Sequence, residues 1–181
     1  MYRWMHVLVE GHDDREFFNV VIRPILREQY DHVQIWEYAG ATIEKRISYL
    51  RSAQAMNADY LFVTDSNASP CVTARKGYLV ERHRNMVDPV RTIVVRREIE
   101  SWYVAGISDE AYQELGLASL PHTDDITKEQ FEQLIPQSFV SVVDFMSEIL
   151  KKFSIETAKR KNKSFQYFMA KLQANLEKGL T

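Results

Sequence analysis

The sequence predicts an α/β fold in which a mainly parallel four-stranded sheet is flanked by helices and followed by a helical C-terminal part. Two observations carry this. Four short apolar runs in the first half are separated by helical patterns, as parallel βαβ units require. Beyond residue 98 the apolar residues recur at helical spacing instead.

The first run is Met5-His6-Val7-Leu8-Val9, which stops at Glu10-Gly11. Asp13 with Glu16 three residues on reads as a capping box opening a helix that carries Phe17, Phe18, Val21 and Ile22. Pro24 removes a backbone donor, so a break or kink is expected there. Val33-Gln34-Ile35-Trp36 alternates as a second strand, and Gly40 and Thr42 open a helix with Ile47 and Leu50 on one face. Asp59–Thr64 forms the third strand and ends at Asp65; a helix is expected over 69–85. Thr92-Ile93-Val94-Val95, the most buried-looking run, is the fourth strand. Crossovers between such strands are almost always right-handed. Phe139 to Phe153 and Phe165 to Leu176 form helical stripes of core character, while Gly116, Pro121, Thr123 and Pro136 mark 116–137 as a long irregular connection. The expected division is a core over 1–105 with a helical extension over 106–181 packed on the same domain.

Composition bounds the function. The 181 residues are 45% hydrophobic and 27% charged, as suits a globular chain with a real core. Net charge is -2, so the whole chain is not a basic nucleic-acid binder, but its charges are segregated. Residues 75–97 carry Arg75, Lys76, Arg82, His83, Arg84, Arg91, Arg96 and Arg97; residues 151–163 carry Lys159, Arg160, Lys161 and Lys163; acidic residues lie between. Such runs are ordinarily solvated surface. One cysteine, Cys71, excludes an internal disulfide, and no Cys/His cluster has zinc-site spacing. No apolar run approaches the roughly 20 residues of a membrane span, so no membrane partner is expected. The N-terminus does not resemble a signal peptide, and the cytoplasm is the expected compartment.

The chemistry lies in the acids that follow the strands: Glu10 after the first, Asp65 after the third, and Glu98 with Glu100 after the fourth. Ligands of parallel α/β sheets bind beyond the carboxyl ends of strands. Clustered carboxylates repel unless a positive charge sits among them, and a hard divalent cation is the natural occupant. Each acid also has a local reading. Asp13 caps a helix, Asp65 opens a turn with Ser66 and Asn67, and Glu98 and Glu100 pair with Arg96 and Arg97 at the surface. Asp14, unlike Asp13, is kept for the site.

On these residues the chain resembles the TOPRIM domain. Val7-Leu8-Val9-Glu10-Gly11-His12-Asp13-Asp14 looks like that family's strand, glutamate, glycine and second acid. Leu61-Phe62-Val63-Thr64-Asp65-Ser66-Asn67 looks like the strand bearing its DxD motif. Arg96-Arg97-Glu98-Ile99-Glu100-Ser101-Trp102-Tyr103 is similar to the segment that marks nucleases of the OLD family. The resemblance covers roughly residues 5–105 and implies a Rossmann-like sheet. It also implies Mg²⁺ or Mn²⁺ held by Glu10, Asp14, Asp65, Asn67, Glu98 and Glu100, and catalytic roles for Glu10 and for Lys159 or Lys163. Asn67 stands where the second aspartate of DxD belongs; an amide ligates a hard cation without adding charge, so weaker metal binding is expected.

The implied activity is metal-dependent phosphodiester hydrolysis of DNA or RNA, with Arg75, Lys76, Arg96, Arg97 and Arg160 meeting phosphates. Trp102 is read as core, with base stacking by Trp102 and Tyr103 as the alternative. No P-loop G-x-x-x-x-G-K-[ST] run occurs, so any ATPase would be a separate partner. Two other functions stay open. One is a TOPRIM-derived binding module with weak or no catalysis, which Asn67 favours. The other is a small RNA-processing ribonuclease, against which the Arg96–Tyr103 segment argues.

Overall fold

A computed structural model of the chain describes residues 2–66 and 68–178, with side chains through residue 174. Asn67 lies outside the described residues. Two compact units divide the chain, one ending at Val95 and the other beginning at Arg96, ten residues before the boundary expected after residue 105.

The first unit is built on a four-stranded parallel sheet: β1 (Trp4–Val9), β2 (His32–Glu37), β3 (Asp59–Asp65) and β4 (Thr92–Val95), in the order β2-β1-β3-β4. Continuous apolar runs place β1 and β3 at the centre, where both faces are covered. The sequence reading of β4 as the most buried strand is corrected. It is a four-residue edge strand, and its apolar run reflects covered faces, while one row of its backbone groups has no strand neighbour. In-register pairs Leu8 with Phe62 and Asp65 with Val95 bring the carboxyl ends of neighbouring strands to one edge.

Between β1 and β2 runs a continuous helical segment: α1 (His12–Phe17), a π-helical turn (Phe18–Ile22) and α2 (Arg23–Leu26). The expected disturbance at Pro24 is this π turn. The Arg23 N–H donates to the Phe18 carbonyl five residues back, just before the proline breaks the ladder. The helix starts differently from the expected Asp13/Glu16 box. Gly11 is the N-cap, and Asp14, not Glu16, reaches back to accept the Gly11 N–H at 3.1 Å. Helix α3 (Ile43–Ala55) opens on Thr42, whose hydroxyl accepts the Lys45 N–H, and α4 (Val72–Arg82) opens on Cys71, whose sulfur accepts the Ala74 N–H. Leu8, Tyr38, Leu50, Phe62, Leu79 and Val87 form a buried cluster on one side of the sheet. Tyr38 stacks on Phe62 at 4.7 Å between centroids.

The second unit is helical: α5 (Glu100–Ala105), α6 (Asp109–Glu114), α7 (Lys128–Leu134), α8 (Val142–Lys151), α9 (Ile155–Lys161) and α10 (Lys163–Lys178). Every residue of α5 is buried, and α7, α8 and α9 pack around it. Trp102 and Tyr103 are fully inaccessible, which removes the base-stacking alternative. Trp102 stacks on Phe168 at 5.1 Å and donates its indole N–H to Ser164 Oγ at 2.7 Å. The expected irregular connection over 116–137 is also corrected. It contains α7, opened by a Thr127/Gln130 capping box and held by the fully buried Phe131. Among the described residues no helix is long and apolar enough to cross a membrane.

Candidate functional site

The site is built at the carboxyl edge of β1 and β3. Two backbone bonds extend β1 beyond its last residue: Tyr38 N–H to the Val9 carbonyl at 2.9 Å and Ala39 N–H to the Glu10 carbonyl at 3.0 Å. They fix the backbone of Glu10, and its carboxylate then turns across to β3. Glu10 Oε2 accepts from the Asp65 N–H and from the Thr64 hydroxyl, each at 3.5 Å. On the other side of β3, Ser66 N–H bonds the Val95 carbonyl at 2.8 Å, which holds the turn after Asp65. The Glu10 carboxylate thus meets the Asp65 backbone because their strands are parallel neighbours.

Asp14 is buried one helical turn away. Its bond to Gly11 gives it a structural duty alongside any ligand role. The Tyr38 phenol, which donates to the Val63 carbonyl at 2.9 Å, registers the acidity of this edge. Burial first, then the Glu10 charge, push its pKa far above the ordinary tyrosine value; the Thr64 hydrogen bond opposes them, and the weaker effects of Asp14 and Arg75 run in opposite directions.

Among the described residues no three His, Cys, Asp or Glu side chains gather closely enough to hold one metal ion together. The two predicted acids that this edge brings nearest are Glu10 and Asp65, through the Glu10 carboxylate and the Asp65 backbone N–H. That pair still fits Mg²⁺, which usually takes one or two carboxylates and fills its remaining positions with water and phosphate oxygens.

Glu98, Glu100, Lys159, Lys163, Arg160, Arg96 and Arg97 belong to the second unit and have local partners there. Glu98 accepts the Lys128 N–H at the start of α7, and the buried Glu100 carboxylate lies 3.9 Å from Lys128 Nζ. Lys159 pairs with Glu156 at 3.0 Å, and Arg160 donates to Thr157 Oγ1 at 3.4 Å. Arg96 pairs with Asp125 at 2.9 Å, and Arg97 lies 4.0 Å from the same carboxylate. The Lys163 backbone N–H bonds Asp124 at 2.9 Å. In the first unit, Lys76 Nζ donates to the Pro89 carbonyl at 2.7 Å.

Arg75 behaves differently. It donates to Thr64 Oγ1 at 2.6 Å, and Thr64 in turn faces Glu10. With Glu10 it lines a cavity of about 270 Å³, together with Arg46, Tyr78, Arg82 and His83. Sequence reasoning left Arg46 and Tyr78 outside the site and had Arg82 and His83 only within the basic run over 75–97. Arg75, Tyr78 and Arg82 stand at i, i+3 and i+7 on α4, one helical face, which was a usable signal. Arg46, on α3, has no local signal. No protein-family model, curated protein or solved structure matches the chain.

Proposed function

We propose that the chain is a metal-dependent nuclease of the OLD-like TOPRIM type, acting on the phosphodiester bonds of DNA or RNA. One observation carries the reading: the Glu10 carboxylate reaches the Asp65 N–H across neighbouring parallel strands, beside the Arg75–Thr64 pair. Glu10 and Asp65 would hold the Mg²⁺ or Mn²⁺ ion. When bound, that ion supplies the positive charge that offsets the two carboxylates and favours hydrolysis of a phosphodiester. Glu10 would accept the proton of the attacking water as the bond to the leaving oxygen breaks. Arg75 supplies charge-assisted hydrogen bonds to phosphate oxygens, a role its planar fork suits.

A second reading is a phosphate-binding module without cleavage. The arginine-lined cavity next to Glu10 favours it, since guanidiniums hold phosphate oxygens without any chemical step.

One experiment separates them. Single- and double-stranded DNA and RNA are incubated with the chain and Mg²⁺ or Mn²⁺, against a chelator control, alongside Asp65→Ala and Glu10→Gln. Metal-dependent cleavage is expected in the parent, with a loss of about 100-fold or more in either variant and little change in melting temperature. Binding without cleavage under every condition selects the second reading. Full cleavage by Asp65→Ala sinks the first.

A further inference from the structure

The cavity beside Glu10 has an unusual charge inventory. Arg46, Arg75 and Arg82 line it with Glu10 as the lone acid, an excess of two positive charges. Among the described residues none of these guanidiniums forms an ion pair. Arg46 is spent on backbone carbonyls, at 3.0 Å to Ala41 and 3.3 Å to Ala39. Arg75 bonds the Thr64 hydroxyl, and Arg82 bonds the Tyr78 hydroxyl, with both guanidiniums lying over the Tyr78 ring. Neutral acceptors do not offset like charges brought to one concavity; an anion does.

Two of the lining residues also carry a buried polar atom without a partner. Arg75 Nε and His83 Nε2 are buried without a hydrogen-bond partner among the described residues. Native structures rarely leave such atoms unsatisfied, and a ligand is one reason for them. His83 is fully inaccessible, and its other nitrogen, Nδ1, donates to the Leu79 carbonyl at 2.8 Å. Protonation, which an incoming anion favours, would turn Nε2 into a second donor.

We propose that Arg46, Arg75, Arg82 and His83 form a site for a phosphomonoester dianion, the terminal 5′-phosphate of a nucleic-acid strand, seated beside Glu10. The charge selects the class. A phosphomonoester carries close to two negative charges at neutral pH, matching the excess, whereas a backbone diester carries one. Planar guanidinium forks bind phosphate oxygens in pairs, and Tyr78, 45% exposed between Arg75 and Arg82, offers a ring face to the adjoining sugar or base. Assigning the phosphate to a nucleic-acid end rests on the nuclease reading. The phosphate site itself does not.

Binding in a chelating buffer tests the proposal independently of cleavage. The full chain is titrated into a 3′-labelled oligonucleotide bearing either a 5′-phosphate or a 5′-hydroxyl, with inorganic phosphate and a nucleoside 5′-monophosphate as competitors. A preference for the 5′-phosphate of about tenfold or more is expected. Arg82→Gln should abolish it while leaving the 5′-hydroxyl strand's binding nearly unchanged; Arg75→Gln should abolish it too, and weaken the binding of both strands. Inorganic phosphate should compete and should raise the parent's melting temperature, a readout that needs no variant. A nucleoside monophosphate that binds as tightly as the strand keeps the phosphate site and assigns its ligand as a small phosphomonoester. Indifference to the 5′-phosphate, or a preference that survives in variants melting like the parent, overturns the proposal. Absence of cleavage in the earlier assay leaves this result standing, and the reverse also holds.

Discussion

At the scale of single residues, the informative side chains are buried polar ones. Asn162 is fully inaccessible at the junction of α9 and α10. Its Oδ1 accepts the Phe165 N–H at 2.9 Å as an N-cap, and its Nδ2 donates to Thr123 Oγ1 at 3.1 Å. Asn162→Ala should cost about 2–3 kcal/mol in denaturant unfolding, because it removes a cap and strands buried partners. Asn162→Ser should recover part of this through the cap alone. His6 and His83 set a pH dependence. Burial, then the neighbouring His32, holds the first below the ordinary histidine value of 6.5; burial, with the charges of Arg46 and Arg82, does so for the second. The unfolded chain therefore takes up these protons first as the pH drops. The stability they contribute is complete above about pH 6.5 and is lost as pH falls through their folded values. Melting temperature should decline from about pH 7.5 to 5.5, and less steeply in His83→Gln; a rise toward acid would contradict the assignment. At this scale the sequence showed which acids follow strands. It could not show that Glu98 meets Lys128, which is distant in sequence, whereas the Glu156–Lys159 pair at i, i+3 was open to it.

At the scale of elements, strands were more legible than helix ends. A central strand announces itself by an unbroken apolar run, as β1 and β3 do, whereas helix starts depend on which side chain folds back. Asp14 rather than Glu16 closes the start of α1, and the two patterns differ by little in the sequence. The Thr127-x-x-Gln130 signature of α7 was present but masked by the glycine and prolines around it. Gly106, which ends α5, reveals a packing constraint that no periodicity carries. A Cβ there would lie 2.2 Å from the Phe153 ring, next to the Ser154 N–H bond to the Gly106 carbonyl at 2.8 Å. Gly106→Ala should destabilise by about 1–3 kcal/mol, as overpacking does. Adding Phe153→Ala should cost less than the sum of the two single changes in a double-mutant cycle. Additive losses would mean that the ring swings away freely.

At the scale of the whole chain, the parallel four-stranded sheet was legible because helical segments separate apolar runs, and parallel strands need such crossovers. The phosphate cavity was not, because Arg46 reaches it from α3 and Arg75 and Arg82 from α4, a proximity that only the strand order creates. That order predicts unequal opening. Amides of β1 and β3 should exchange with deuterium only on global unfolding, while those of the short edge strand β4 exchange sooner; uniform rates across the sheet would argue against this ranking. The same order has a consequence for synthesis. The first strand of this sheet to be made is an inner one, so when β2 has emerged and paired with it, the opposite edge of β1 is still an open apolar ladder. It stays open until Asp59–Asp65 has also left the ribosome. During that interval the nascent chain presents an adhesive strand edge to its neighbours, which makes this stretch of translation the time when it most needs a chaperone.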